Sequence, residues 1–307
     1  MASAADRRVE VDGRELKLTN LDKVLYPKAG FSKGEMVDYY AKAAPVLVPH
    51  LAGRALTLRR FPEGVDDTEA AFFEKRCPKH RPEWVKTTRV VAGPRAGQID
   101  YCVCEDRPTL VWMAQLAAIE LHPSLSLGRK HERPTVVAFD LDPGPPAEIL
   151  DCSRVALRLR ELFDHLGLRC FVKTSGSKGM QLYAPLNTPV TYEETRPFAQ
   201  AIAKLLAKQT PDEVIAKMGK KTLRKGKVFI DWYQNNERKT TIAVYSLRAR
   251  ERPTASTPLA WEEVEAAVDK EDAGSLVFEA GEVLDRIEKH GDLFAPVLEL
   301  KQKLPEL

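Results

Sequence analysis

An α+β fold with mixed, largely antiparallel sheets is predicted by three features of the sequence. Residues 136–231 run strand, helix, strand, strand, helix, strand, the order of a split βαβ unit. Helix starts are marked by capping boxes, a hydroxyl residue followed three positions later by Glu, at Ser32 with Glu35, Thr191 with Glu194 and Thr210 with Glu213. Between the helices lie short β-branched and aromatic runs closed by Gly or Pro, which suit hairpins. A chain of 307 residues with 44% hydrophobic and 30% charged side chains can bury a full core and is not a disordered polyelectrolyte. No apolar run approaches the roughly 18 residues of a membrane span, so no membrane partner is expected.

Taken in order, residues 1–8 read as disordered, and residues 9–18 alternate well enough for a hairpin turning at Asp12-Gly13. Ser32 opens a helix to about His50 with Met36, Tyr40, Ala43 and Leu47 on one face. Residues 55–61 read as a strand ending in Arg59 and Arg60, followed by Phe72-Phe73, of which alternation lets only one face outward. Pro108 begins a second helix, predicted to run through Trp112, Leu116, Ile119 and Glu120 and to stop at His122-Pro123. A strand over 135–143, a helix over 147–166 stopped by Gly167, and strands over 170–174 and 180–184 come next. Thr191 and Thr210 each predict a helix, residues 227–232 and 239–250 predict strands, and residues 261–307 supply two supporting helices. The expected organisation is one monomeric catalytic domain over 9–295 with a C-terminal helix or tail over 296–307.

Candidate chemistry centres on Phe139-Asp140-Leu141-Asp142-Pro143. On a strand Asp140 and Asp142 share a face, roughly 6 to 7 Å apart, where two carboxylates repel unless solvated or bridged by a cation. Asp231 ends a second apolar run, Val228-Phe229-Ile230-Asp231, and completes a hard-oxygen set suited to Mg²⁺ or Mn²⁺. Ser175-Gly176-Ser177-Lys178-Gly179 offers hydroxyls, close backbone N–H groups and a cation to an oxyanion, although a strand follows it where a Walker loop has a helix. Six cations, Lys217, Lys220, Lys221, Arg224, Lys225 and Lys227, crowd eleven residues before Asp231. The net charge of +3 decides nothing, but this cluster fits a polyanion. Lys33, in the first turn of a capped helix where a cation is normally disfavoured, and Lys23 upstream suggest a bound anion. Five cysteines without a signal-peptide pattern imply a reducing, cytoplasmic setting. Cys77, His80, Cys102 and Cys104 form a possible zinc set, set against simple packing of two thiols on one strand face.

These stretches resemble the polymerase domain of bacterial ligase D, a branch of the archaeo-eukaryotic primase superfamily acting in non-homologous end joining. The resemblance runs over residues 9–293 through Leu18-Thr-Asn-Leu-Asp-Lys23-Val-Leu-Tyr-Pro27, Phe72-Phe-Glu-Lys75, Glu120-Leu-His122, Phe139-Asp-Leu-Asp-Pro143, Thr174-Ser-Gly-Ser-Lys-Gly179, Val228-Phe-Ile-Asp-Trp232 and Tyr245-Ser-Leu-Arg-Ala-Arg250. It implies the primase fold with an RRM-like core flanked by helices, and two-metal nucleotidyl transfer of NTP or dNTP, with a leaning to Mn²⁺ and ribonucleotides. It also implies Asp140, Asp142 and Asp231 as metal and catalytic residues beside His122. Arg60, Ser175, Ser177, Lys178, Gln181, Gln234 and Arg248 are then expected at the nucleotide, with Phe72 and Phe73 as the base-stacking pair. Asn20, Lys23 and Lys33 match the 5′-phosphate pocket at a DNA break, and Lys220, Lys221, Arg224 and Lys225 are expected along the DNA. Gln181 stands where the family usually has a histidine, which puts proton or charge transfer at that position in doubt. With no ligase or nuclease signature in the sequence, a stand-alone enzyme working with a separate DNA ligase, and with Ku, is expected. The alternative is a DNA-end-binding module whose acids hold a structural metal; a phosphohydrolase would leave the phenylalanines without a role.

Overall fold

The computed structural model describes residues 7–93, 97–217, 219 and 221–306. In chain order the elements are β1 (Arg7–Val11), β2 (Arg14–Leu18), β3 (Val24–Tyr26), β4 (Phe31–Ser32), α1 (Lys33–Leu51), β5 (Arg54–Arg60), β6 (Phe72–Glu74), β7 (Thr87–Gly93), β8 (Gly97–Cys102), α2 (Arg107–Gln115) and β9 (Ala118–Leu127). Then follow β10 (Val136–Pro143), α3 (Ile149–His165), β11 (Phe171–Thr174), β12 (Met180–Pro185), α4 (Tyr192–Gln209), β13 (Val214–Ile215), β14 (Val228–Asp231), β15 (Pro258–Leu259), α5 (Trp261–Asp269), α6 (Ala280–His290) and α7 (Pro296–Glu299). Where the sequence suggested one domain over 9–295, the packing divides into two compact units. The first holds residues 1–124, 242–255 and 279–292, and the second 125–241, 256–278 and 293–307.

The second unit is the RRM-like core. Its sheet runs β13-β14-β10-β12-β11-β15, so the split βαβ strands lie in the order fourth, first, third, second, all paired antiparallel. Alternation assigns the two faces. Val137, Phe139 and Leu141 of β10, Val172 of β11, Met180, Leu182 and Ala184 of β12, and Val228 and Ile230 of β14 point into one core with Phe163 of α3 and Phe198 of α4. The intervening residues Asp140, Asp142, Lys173, Gln181 and Asp231 therefore share the other face. Helices on one side and chemistry on the other is the consequence of that period of two.

In the first unit, β1 and β2 form the predicted hairpin, with Asp12 and Gly13 at φ 48° and 76° supplying the tight turn. Arg7 and Arg8 are paired in β1, so regular structure starts inside the segment expected to be disordered; residues 1–6 lie outside the described residues. The capping box forms as predicted, Glu35 N donating to Ser32 Oγ at 3.2 Å and Ser32 N to Glu35 Oε2 at 2.7 Å. A sheet runs β6-β5-β8-β7, with β9 also on β5.

Three element predictions are corrected. The helix from Pro108 ends at Gln115, because Ala117 turns left-handed at φ 58° and its carbonyl accepts from Phe61 N at 2.9 Å; Ile119 to His122 lie on β9. Thr210 does not open a helix: its N–H and hydroxyl both donate to Leu206 O at 2.9 Å and close α4, after which Val214 and Ile215 pair with β14. Residues 239–250 form no strand. Side chains hold that segment instead, Tyr39 Oη donating to Tyr245 O at 2.7 Å and Leu247 N to Tyr40 Oη at 3.1 Å, and Tyr245 has φ 62°. Among the described residues no helix is long and apolar enough to cross a membrane.

Candidate active site

Cross-strand register builds the second unit's polar face as one row. Asp140 of β10 pairs with Asp231 of β14 on one side and with Gln181 of β12 on the other, and Gln181 pairs in turn with Lys173 of β11. Gln181 Nε2 donates to Asp140 Oδ1 at 3.1 Å. Asp231 caps the turn after it, accepting from Tyr233 N and from Gln234 Nε2, each at 3.0 Å. Asp142, two residues beyond Asp140, has Arg224 Nη1 3.8 Å from its Oδ2, and the same guanidinium lies 3.8 Å over the Phe229 ring. Burial, then the charges of Asp142 and Asp231, push the Asp140 carboxyl up to about 7, with Gln181 and Lys173 opposing. A site that raises one acid by crowding it with two others is relieved by a cation.

The donor set, three carboxylates on one sheet face, has the chemistry a hard divalent ion takes, although among the described residues the three do not close into a ligating cluster in this structure. Gly179 and Gly144 bring the adjoining loops close to it. A Cβ on Gly179 would stand 2.0 Å from Leu141 O, and one on Gly144 1.9 Å from Arg224 O, so only glycine fits at either place. The 175–179 loop is self-organised, with Ser177 N and Gly179 N both donating to Ser175 Oγ at 3.2 Å. Ser177 and Lys178 line a cavity of about 460 Å³ with Pro143, Pro146 and Ile149. Lys225 is exposed, and Lys220 and the side chain of Lys221 lie outside the described residues.

The first unit gathers a second cluster around Glu120, which is 1% exposed. Its carboxylate accepts from His122 Nε2 at 3.0 Å, Arg59 Nη1 at 3.3 Å, Arg248 Nε at 3.0 Å and Ala249 N at 3.1 Å. Burial alone would raise this acid, but the His122 hydrogen bond and the charges of Arg248 and Arg59 hold it far below the usual carboxylate range. Burial also pulls the His122 imidazole down against the pull of Glu120. Arg59 lies 5.3 Å over Phe73 and the His122 ring packs edge-on to it at 5.8 Å, while Arg60 lies 5.1 Å over Phe72 and donates from Nε to Leu116 O at 2.7 Å. Phe72 and Phe73 are 42% and 58% exposed, so both face solvent, contrary to the one expected. β6 is a sheet edge, and each ring is backed by its own arginine.

Lys33 is buried, its Nζ donating to Thr19 O at 2.9 Å, and burial with the charges of Lys23 and Arg60 pulls it down to about 8. Lys23 pairs with Glu63 at 2.7 Å, and Asn20 sits at φ 54° with its carbonyl accepting from Lys23 N. The zinc set is not formed. Cys77 and Cys102 are joined in a disulfide rather than present as reduced thiols, burial pushes the Cys104 thiol up and away from thiolate, and no three of Cys77, His80, Cys102 and Cys104 converge as metal ligands.

Arg59 at a strand end and Glu120 in the Glu120-Leu-His122 motif were named from the sequence but given no role, and Lys173 was not singled out. Glu120 had a visible signal, since Glu-x-His on a strand shares a face, but reading that stretch as helix hid it.

A family model described as LigD, primase-polymerase domain, matches residues 32–294. The chain belongs to this family. The multifunctional end-joining protein LigD of Mycolicibacterium smegmatis is 42% identical over 284 residues, 92% of this chain and 36% of that protein. The bifunctional LigD of Bacillus subtilis is 34% identical over 279 residues, 90% of this chain and 43% of that protein. The chain thus spans well under half the length of these relatives. The polymerase domain of Mycobacterium tuberculosis ligase D, solved in complex with DNA, superposes with a TM-score of 0.84 at 38% identity, covering 94% of this chain and 99% of that one. LigD primase-polymerase membership makes the fold that of the primases and the chain a nucleotidyltransferase of the polymerase and primase kind.

Proposed function

We propose that this LigD-family chain extends primers and fills short gaps at DNA breaks by template-directed attack of a 3′-hydroxyl on an NTP or dNTP, with ribonucleotides preferred. The observation that carries the reading is the alignment of Asp140, Asp142 and Asp231 on the face of the sheet opposite the helices. Asp140, Asp142 and Asp231 would hold Mn²⁺ or Mg²⁺. Bound there, the ions supply charge neutralisation and lower the pKa of the attacking hydroxyl. Gln181 steadies Asp140, and Gln234 and the Tyr233 amide steady Asp231. Ser175, Ser177 and Lys178 offer hydroxyl and ammonium donors to the triphosphate; within the first unit, His122 and Arg248 carry ring and guanidinium N–H groups suited to an anion. Phe72 and Phe73 present open ring faces for base stacking. Arg224 and Lys225 add backbone affinity that falls with salt.

Primer extension on gapped duplexes, with each nucleotide type and with Mn²⁺ or Mg²⁺, tests this. Incorporation following the template is expected, and binding to the same DNA without incorporation would favour the end-binding reading instead. Because Asp140 must shed a proton held up to about 7, Mn²⁺ affinity is expected to rise as pH rises through 7, with protons released on binding. A titration in two buffers of different ionisation enthalpy reads this directly, and pH-independent affinity without proton release contradicts it.

Asn20, Lys23 and Lys33 form the proposed 5′-phosphate pocket. A gap end carrying a 5′-phosphate should bind about tenfold or more tighter than one with a 5′-hydroxyl, the scale of a charge-assisted contact. Lys23→Ala with Lys33→Ala should lose that preference while keeping affinity for open template. In the wild type the preference should fade as pH rises through about 8, where Lys33 gives up its proton. A double mutant that still discriminates equally puts the pocket elsewhere.

A further inference from the structure

Lys173 is 1% exposed, in a position where a lysine is rarely found unless paired, and none of the steps above uses it. It stands two strands from Asp140 with Gln181 between them. The donors and acceptors along this row leave one arrangement. Lys173 Nζ, which can only donate, reaches Gln181 Oε1 at 2.7 Å and Ser256 Oγ at 2.6 Å. Ser256 Oγ gives its own proton to Thr174 O at 2.8 Å, so toward the lysine it accepts. With its carbonyl oxygen on the ammonium, the Gln181 carboxamide turns Nε2 to Asp140 Oδ1 at 3.1 Å. A half-turn of the amide would set N–H against ammonium and carbonyl against carboxylate, two repulsive contacts out of water.

We propose that Lys173 is a positioning residue of the catalytic face, acting through Gln181 to hold an N–H on Asp140 and so fix the orientation of the carboxylate that faces the cation. It also brings to the row a positive charge that a neutral glutamine cannot. This rests on reading Asp140 as a metal ligand in nucleotidyl transfer.

Mn²⁺ affinity, read by electron paramagnetic resonance at fixed pH, and single-nucleotide extension are to be measured for wild type, Lys173→Met, Gln181→Ala and the double variant. Lys173→Met is expected to weaken Mn²⁺ binding about tenfold, the worth of a hydrogen bond to a charged group, with kcat falling while nucleotide KM stays within about twofold. Because the lysine acts through the glutamine, the double variant should be no more than about threefold worse than the weaker single. Wild-type Mn²⁺ affinity in Lys173→Met, losses that multiply in the double variant, or a wild type that binds no Mn²⁺ overturns the proposal. Should Lys173→Met not fold, the wild type decides: the Gln181 side-chain amide, observed by NMR, should be protected from solvent exchange, and rapid exchange overturns the assignment. A wild type that binds Mn²⁺ through Asp140 but extends no primer sinks the nucleotidyl-transfer reading alone, and the Mn²⁺ titrations still decide on Lys173.

Discussion

Asp140→Asn is expected to reduce nucleotide incorporation by about three orders of magnitude or more, since metal charge stabilisation is worth several kcal/mol and an amide holds the ion poorly. The same change should make the metal-free protein more stable. In the folded chain Asp140 keeps its proton up to about 7, against an ordinary value of 3.8, because burial and the charges of Asp142 and Asp231 oppose its ionisation. Between those two values the folded state binds more protons than the unfolded one. The contribution of this group to stability is therefore present at low pH and lost as pH rises from about 4 toward 7. Asparagine carries no such charge and removes the dependence. Thermal unfolding without metal should show Tm of the variant above wild type at pH 8 and the gap closing toward pH 5, while saturating Mn²⁺ raises Tm of wild type only. A variant that extends primers at near wild-type rate with saturating metal takes Asp140 out of the site. One that gains nothing at pH 8 shows that the carboxylate carries no strain there.

Much of this was legible in the chain because the period of two is a local property. Val137, Phe139 and Leu141 alternate with Ala138, Asp140 and Asp142, and that pattern alone separates core from chemistry once a strand is assumed. Capping boxes at Ser32 and Thr191 worked for the same reason, each being complete within four residues. What failed was non-local. Ile119 and Leu121 fit a helical stripe as well as a strand, and only the pairing of β9 with β5, decided by Ala117 turning left-handed, separates the two. Thr210 carries a good box, but its hydroxyl was taken by Leu206 of the helix before it. Register is non-local too: nothing in residues 170–184 says that Lys173 and Gln181 are partners, or that Gln181 lies opposite Asp140. The segment 239–250 owes its path to Tyr39 and Tyr40, some two hundred residues away in sequence. Its β-branched residues Thr240, Thr241, Ile242 and Val244 therefore mimicked a strand.

Glu120→Ala is expected to have the largest effect on stability, about 3–5 kcal/mol, the loss typical when one partner of a buried charge cluster is removed. The carboxylate holds His122, Arg59, Arg248 and the Ala249 N–H, and without it two guanidiniums are left beside one another with no counter-charge from this residue. Glu120→Gln separates charge from shape. It keeps an acceptor oxygen for Arg248 but presents an NH₂ to the other side, where Arg59 can only donate and His122 Nε2 would have to turn from donor to acceptor. Loss of the Glu120 charge should also lower the His122 pKa further, because that carboxylate is what opposes the effect of burial. Histidine titration by NMR should therefore move to lower pH in Glu120→Gln, with stability intermediate between wild type and Glu120→Ala. Arg59 is the arginine that lies over Phe73, so the exposed ring should also lose its backing, and nucleotide KM should rise in both variants. Denaturant unfolding of the three proteins reads the first effect and extension kinetics the last. A Glu120→Ala protein as stable as wild type, or an unmoved His122 titration in Glu120→Gln, would show that the arginines and the histidine are held in place by something other than this carboxylate.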